Sequence, residues 1–144
     1  MGGHAGGDIA SAITSQRVAL TDSKYDSIEE AIEGFKSGVL DANNMLNGTV
    51  IEHPELQGMG TTFSGMLVHG NQVVTAHIGD SRIYRVRSGE VVQITKDHTF
   101  VQKLVELGRI TEAEALVHPR RSVLMRVLGD VQGEPELDVA LHDA

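Results

Sequence analysis

A long amphipathic helix is the feature of this sequence that most constrains the fold. Ser27 and Glu30 form a predicted capping box, and Asn47 with Gly48 is predicted to end the helix. Between them the apolar residues recur at spacings of three and four along one stripe: Ile28, Ala31, Ile32, Phe35, Val39, Ala42 and Leu46. Such a stripe must be buried against something broad and flat, so the rest of the chain is expected to supply a sheet.

Four short runs rich in β-branched residues follow this helix, at residues 61–68, 73–78, 83–86 and 91–95. The turns between them are short and contain glycine, which predicts one antiparallel meander. The second run is apolar on both of its faces, so this sheet is expected to need a covering layer that the chain need not contain. Together with its helices the chain is predicted to be α+β.

Five further elements are predicted from caps and periodicity. They are a helix capped by Asp8 and running to Leu20, a helix capped by Asp97 or Thr99 and closed by Gly108, a short helix opened by the capping box of Thr111 and Glu114, a helical piece over residues 122–128, and a strand over residues 137–141.

Length, charge and cysteine content narrow the class of protein. The 144 residues suit one domain, and 12 Lys and Arg against 20 Asp and Glu give a net charge of −8. Such an acidic surface argues against binding nucleic acid or anionic lipid and favours cations. The absence of cysteine fits a reducing compartment. No apolar run reaches the roughly 20 residues of a membrane helix, and a cytoplasmic location is expected.

His4 lies between two glycine pairs ahead of a helix and is the first candidate for chemistry. A glycine loop at a helix N-terminus suits an anion, and an imidazole there could donate a proton. The alternative, favoured by spacing alone, is an incidental histidine near the N-terminus.

Asp80 is the second candidate, because a carboxylate in a tight turn between strands can bind a hard divalent cation. Spacing alone favours the alternative of an ordinary turn residue paired with Arg82. His77 is predicted to be a hydrogen-bonded core histidine. A basic cluster of Arg120, Arg121 and Arg126 could recognise phosphate. The preferred interpretation is that these arginines lie on a solvated helix face or form internal ion pairs.

Five motifs, in order, closely resemble those of the bacterial PPM-type (type-2C) metal-dependent protein serine/threonine phosphatases. They lie at residues 1–7 (Met-Gly-Gly-His-Ala-Gly-Gly), 58–62 (Gly-Met-Gly-Thr-Thr), 77–82 (His-Ile-Gly-Asp-Ser-Arg), 95–99 (Thr-Lys-Asp-His-Thr) and 119–129, from Pro-Arg-Arg-Ser through Arg-Val-Leu-Gly. The resemblance implies a partial α-β-β-α sandwich of antiparallel sheets with flanking helices and a helical flap over approximately residues 97–129.

The resemblance also implies a binuclear Mn²⁺ or Mg²⁺ centre that activates a water to attack phosphoserine or phosphothreonine. Asp80 matches a ligand of a third, weaker metal site in that family, and His4 matches a histidine near the centre that is a candidate proton donor. The family's first motif is Asp-Gly-Met-Gly-Gly-His, whereas this chain begins at the Met. The metal-bridging Asp, the first strands and the later Ser-Asp-Gly and Asp-Asn motifs are therefore expected to lie outside these residues.

The complete protein is accordingly expected to be a cytoplasmic signalling phosphatase acting on phosphoserine and phosphothreonine proteins, with a serine/threonine kinase or its substrates as partners. The 144 residues alone are expected to be inactive, because two-metal chemistry needs several carboxylates converging on one point. The alternative is a non-catalytic phosphatase-like module that binds a partner through its exposed sheet face.

Overall fold

A computed structural model describes residues 6–129 and 133–144 of the chain as an α+β fold of antiparallel strands and flanking helices. Its helices are α1 (Gly7–Ala19), α2 (Ile28–Glu52), a 3₁₀ turn (Pro54–Leu56), α3 (Phe100–Glu106) and α4 (Glu112–Leu116). Its strands are β1 (Gly60–Thr61), β2 (Phe63–His69), β3 (Gln72–Ile78), β4 (Tyr84–Arg87), β5 (Glu90–Gln93), β6 (Leu128–Gly129) and β7 (Asp138–Asp143).

Helix α2 confirms the predicted amphipathic stripe but is longer than expected. It runs through Asn47 and Gly48 to Glu52. It ends there because Pro54 disfavours the helical conformation at His53, whose φ and ψ are −128° and 78°. The Ser27 hydroxyl accepts the Glu30 amide as predicted, whereas the Glu30 carboxylate accepts the amide of Asp26, one residue before the position that a capping box requires.

The core lies between α2 and the inner face of the sheet that contains β3. It contains the fully buried side chains of Val39, Leu46, Met59, Val74, Ala76, Ile78 and Leu128, with Phe35 and Ala10 beside them. Helix α1 packs against α2. The predicted cap of α1 is wrong, because Gly6 occupies the N-cap in a left-handed conformation and Asp8 lies in the first turn, where its charge favours the helix N-terminus.

The four-stranded meander is wrong, because β3 has another partner. Strands β2 and β3 pair as predicted, but the free edge of β3 pairs with β7, so that Ala76 faces Gly65 on one side and Val139 on the other. Strands β4 and β5 form a separate hairpin, and β1 pairs with β6. The connection over residues 79–81 therefore leads out of the sheet instead of turning back along it.

The other face of this sheet carries exposed apolar side chains. Met66 and Val68 on β2 are 62% and 64% exposed. They alternate with Leu67, which packs against the core. The prediction of a sheet face without a covering layer therefore agrees with the exposure of these residues.

The segment after β5 contains two short helices, as predicted. Thr99, not Asp97, caps α3, and the capping box of Thr111 and Glu114 opens α4. The helical piece over residues 122–128 is wrong. Its backbone bonds to the chain ahead of α3 instead, with the Met125 amide 2.8 Å from the His98 carbonyl oxygen, and it ends in β6. Among the described residues, no helix is both long and apolar enough to cross a membrane.

Candidate active site

Asp80 lies in the loop that leaves the sheet after β3, and its side chain is exposed. The predicted ion pair with Arg82 is wrong. Arg82 donates two hydrogen bonds to Asp97, from Nε to Oδ1 at 2.9 Å and from Nη2 to Oδ2 at 2.7 Å. Within residues 6–129 and 133–144, Asp80 has no hydrogen-bond or ion-pair partner, so its carboxylate is available to a ligand.

The Arg82–Asp97 pair fixes the start of β4. Hydrogen bonds from Arg82 to Asp97 and Tyr84 raise the pKa of the guanidinium above its ordinary value. A planar bidentate pair of this kind has a defined geometry. Because Arg82, the basic residue nearest to Asp80 in sequence, is neutralised by Asp97, it does not compete with a ligand for the Asp80 carboxylate.

The loop turns at Gly79, which has a φ of +110°. A Cβ built at this position would lie 2.3 Å from Cγ2 and 2.6 Å from Cβ of Thr62. Glycine is therefore required both by the backbone conformation and by the close approach of Thr62, the residue before β2. Beyond it, the Ser81 hydroxyl lies 2.9 Å from the Thr62 hydroxyl.

Two buried histidines lie beneath the loop. His77 is a hydrogen-bonded core histidine as predicted, with Nδ1 2.8 Å from the Ser64 hydroxyl and Nε2 2.8 Å from the Lys96 carbonyl oxygen. The ring of His98 lies against it, with centroids 4.7 Å apart. The sequence analysis does not single out His98; its place in the Thr-Lys-Asp-His-Thr motif at residues 95–99 is the signal that could have indicated it.

The environment of His98 favours its neutral form. Burial lowers the pKa of His98, and the opposing attraction of Asp138, whose Oδ2 lies 2.7 Å from Nε2, does not overcome it. The guanidinium of Arg126 lies near both groups, with Nη1 3.4 Å from Asp138 Oδ1, and adds to the lowering.

A cleft of about 920 Å³ opens beside the Asp80 loop. The loop and β5 form one side, and α3 and α4 form the other. Its lining includes Asp80, Arg82, Lys96, Val105, Leu116 and Arg121. The predicted flap residues therefore lie next to Asp80 and leave room there for a ligand.

The predicted basic cluster does not form one site. Arg126 pairs with Asp138 and with Glu136, both at 3.4 Å. Arg120 lies over the ring of Phe100 at 5.8 Å, and Arg121 donates to the His118 carbonyl oxygen. The preferred interpretation, internal pairs and solvated side chains, therefore fits Arg126 and Arg120, whereas Arg121 reaches the cleft.

The described residues do not by themselves fit a two-metal centre. Among them there is no group of three or more His, Asp or Glu side chains placed to hold a metal ion. Asp97 is committed to Arg82, and Asp138 to His98 and Arg126, so the loop offers a single carboxylate, that of Asp80. His4, the other predicted site residue, lies outside the described residues.

Comparisons with known proteins agree with the fold. The protein-family model described as protein phosphatase 2C matches residues 1–140. The serine/threonine protein phosphatase PstP of Mycobacterium tuberculosis is 44% identical over 137 residues, which are 95% of this chain and 26% of PstP. This chain therefore spans about a quarter of the length of that curated relative.

Solved structures of the same relative superpose closely on this chain. A crystal structure of the M. tuberculosis phosphatase PstP/Ppp gives a TM-score of 0.90 at 42% identity and is matched over 100% of this chain and 60% of its own. A structure of the PstP catalytic domain in complex with two manganese ions gives a TM-score of 0.83 at 39% identity, over 100% of this chain and 59% of its own.

Proposed function

This chain belongs to the protein phosphatase 2C family, and we propose that it forms part of the catalytic domain of a metal-dependent phosphatase that hydrolyses phosphoserine and phosphothreonine in proteins. The observation that carries the proposal is Asp80. Its carboxylate is exposed, lacks a partner among the described residues and lies on the edge of a cleft beside the flap.

Asp80 is proposed to be a ligand of a divalent metal ion, Mn²⁺ or Mg²⁺. Support comes from the preference of both ions for oxygen ligands and from the pairing of Arg82 with Asp97, which leaves the Asp80 carboxylate without a cationic partner among the described residues. A bound metal pair would supply an activated water and charge neutralisation for the phosphoryl group. Because the resemblance matches Asp80 to the third, weaker metal site, and no group of three or more His, Asp or Glu side chains among the described residues is placed to hold a metal ion, the ligands of the metal pair are proposed to belong to residues outside them.

The other parts of the proposal follow from the family resemblance. His4 is proposed as a proton donor to the leaving serine or threonine oxygen, and residues 97–129 as a flap that influences substrate access. The substrates are proposed to be phosphoserine and phosphothreonine proteins, including a serine/threonine kinase or its substrates. The absence of cysteine suits a proposed cytoplasmic location.

A non-catalytic binding module is the second candidate function. The exposed side chains of Met66 and Val68 favour it, because neighbouring apolar residues on a sheet face can mark an interaction surface. This reading predicts partner binding without hydrolysis, so an activity assay separates the two functions.

The test compares the full-length protein with the 144-residue chain on a phosphothreonine peptide, with Mn²⁺ and with excess chelator. We expect phosphate release by the full-length protein with Mn²⁺, loss of release on chelation and recovery when Mn²⁺ is restored. The 144-residue chain is expected to stay at background. No release by the full-length protein with either Mn²⁺ or Mg²⁺ would contradict the proposed activity, and release by the short chain would contradict its proposed inactivity.

A further inference from the structure

We propose that His98 is a positioning residue that, together with His77, fixes the backbone of the loop at residues 79–81 and thereby sets where the Asp80 carboxylate lies. This inference rests on the proposed role of Asp80 in metal binding. It concerns a pair of side chains that do not themselves reach the cleft as ligands but hold the residues on both sides of Asp80.

His98 holds the residue before Asp80 through two hydrogen bonds. The Gly79 amide donates to Nδ1 of the His98 ring at 3.0 Å, and the His98 amide donates to the Gly79 carbonyl oxygen at 2.8 Å. The first of these bonds is buried, and His98 is only 6% exposed. Both polar groups of the Gly79 peptide backbone are therefore bonded to residue 98, which fixes the direction in which the chain enters Asp80.

The bonds of His98 define one tautomer. Nδ1 must be unprotonated because it accepts the Gly79 amide, so in the neutral ring Nε2 carries the hydrogen and donates it to Oδ2 of Asp138 at 2.7 Å. Asp138 lies at the start of β7, which pairs with β3. The ring therefore connects the loop to the strand next to β3 and is itself oriented by a carboxylate.

Ser64, whose hydroxyl is oriented by His77, contacts the residue after Asp80. His77 donates from Nε2 to the Lys96 carbonyl oxygen, so that its Nδ1 accepts the Ser64 hydroxyl. The Ser64 hydroxyl has a single hydrogen, which it donates to His77, so its approach to 3.2 Å from the Ser81 carbonyl oxygen is a packing contact and not a second hydrogen bond; the Ser81 hydroxyl is hydrogen-bonded to that of Thr62 at 2.9 Å. The two rings contact each other at 4.7 Å between centroids, so the supports on the two sides of Asp80 form one packed unit.

Within the described residues, no hydrogen bond or ion pair positions the Asp80 side chain itself. Because no side chain among the described residues bonds its carboxylate, the location of that group depends on the backbone on either side. Outer groups that orient a metal-binding side chain typically change metal affinity or activity by about 10–100-fold when removed. His98 is expected to act in this way, through Gly79 instead of through a direct bond to Asp80.

Two substitutions separate the functions of the two ring nitrogens. His98→Asn retains an acceptor near the position of Nδ1 and loses the donor to Asp138. His98→Gln retains a donor near the position of Nε2 and loses the acceptor for Gly79. A purely structural role would make the two variants similar, whereas a positioning role through Gly79 makes them different.

The readout is Mn²⁺ binding by the full-length protein, measured as paramagnetic broadening of the Asp80 and Ser81 amide signals in a titration with Mn²⁺ alone. We expect His98→Asn to stay within about 3-fold of the wild-type midpoint and His98→Gln to require about 10-fold more Mn²⁺. Equal midpoints in the two variants would overturn the inference. Unfolding temperatures of both variants show whether either result reflects a loss of folded protein.

A second variant keeps the test decisive if His98→Gln does not fold. Ser64→Ala removes the contact to His77 and Ser81, and we expect it to raise the Mn²⁺ midpoint, while Ser122→Ala, an exposed residue of the same cleft, leaves it unchanged. An unchanged midpoint in Ser64→Ala would overturn the inference.

The readout does not depend on hydrolysis. A protein that binds Mn²⁺ at Asp80 but releases no phosphate would contradict the proposed function and leave this inference standing. Wild-type Asp80 and Ser81 signals that stay sharp in Mn²⁺ would overturn the inference by removing Asp80 as a ligand.

Discussion

The Asp80 carboxylate is available to a ligand because the nearest basic residue, Arg82, bonds another carboxylate. The sequence Gly-Asp-Ser-Arg places an arginine two residues away, and a local pair would have neutralised the carboxylate. The structure instead joins Arg82 to Asp97 with two hydrogen bonds from fifteen residues away in sequence. The buried hydrogen bonds of the loop use backbone groups of Gly79 and not the Asp80 side chain, so the Asp80 carboxylate stays unpaired among the described residues.

The requirement for glycine at position 79 gives a prediction at this scale. Gly79→Ala introduces strain at a φ of +110° and a Cβ 2.3 Å from Thr62 Cγ2, and we expect it to lower the free energy of unfolding by about 2–5 kcal/mol. Gly108→Ala is the control, because its φ is +70° but no atom lies within 4 Å of the added Cβ. We expect it to lower the free energy of unfolding by about 1 kcal/mol. Urea unfolding measures both, and similar losses would contradict the close approach to Thr62.

At the scale of elements, α2 organises the fold in a way that its apolar stripe only partly predicts. The stripe indicated which face is buried, and the structure confirms it. Asn43 also lies fully within that face, and nothing in the periodicity explains a polar residue there. Its Oδ1 accepts the buried amide of Gly129 at 2.8 Å, so α2 holds β6 through a contact that spans 86 residues of sequence.

This hydrogen bond predicts that alanine substitutions at two adjacent asparagines have different effects on the free energy of unfolding. Asn43→Ala leaves the buried Gly129 amide without its acceptor, and we expect a loss of about 1–3 kcal/mol in the free energy of unfolding. Asn44→Ala, at an exposed position of the same helix, is expected to be neutral or to stabilise by up to about 0.7 kcal/mol. Chemical denaturation of both variants tests this; equal stabilities would show that the Asn43 bond contributes nothing.

The elements that sequence predicts well here are those determined by neighbours in the chain. The turn at Ser88 and Gly89 takes positive φ at both residues and forms the expected hairpin, and Thr111 forms the expected capping box. The pairing of β3 with β7 depends on residues more than sixty positions apart, and the extended path of residues 122–128 depends on backbone bonds to His98 and Phe100. Local periodicity contains no information about such partners, so the meander and the extra helical piece were wrong.

The candidate site shows the same division. The core position of His77 was predicted from the residues and is confirmed, whereas the role of Asp80, taken from the residues and the family resemblance, stays a prediction. The pairing of Arg82 with Asp97 and the contact of His98 with Gly79 were not predicted, because both join segments on opposite sides of the β4–β5 hairpin. A motif therefore identified the carboxylate, whereas the support beneath it became visible only in three dimensions.

At the scale of the whole molecule, the described residues form helices packed on a three-stranded sheet, two further two-stranded pairings, and a cleft beside the residues predicted to be a flap. The chain covers 60% of the solved PstP/Ppp chain that it matches with a TM-score of 0.90. Among the described residues, Met66 and Val68 on β2 are exposed, and no group of three or more His, Asp or Glu side chains is placed to hold a metal ion.

The most direct test of the account is the effect of Asp80→Asn on the Mn²⁺-dependent release of phosphate from a phosphothreonine peptide by the full-length protein. Glu112→Gln is the matched control, because it neutralises another carboxylate that lines the same cleft. We predict a loss of at least about 10-fold in rate at limiting Mn²⁺ for Asp80→Asn, partly restored by raising Mn²⁺, and a change within about 2-fold for Glu112→Gln. Equal rates for the two variants across the Mn²⁺ titration would contradict the assignment of Asp80 as a metal ligand.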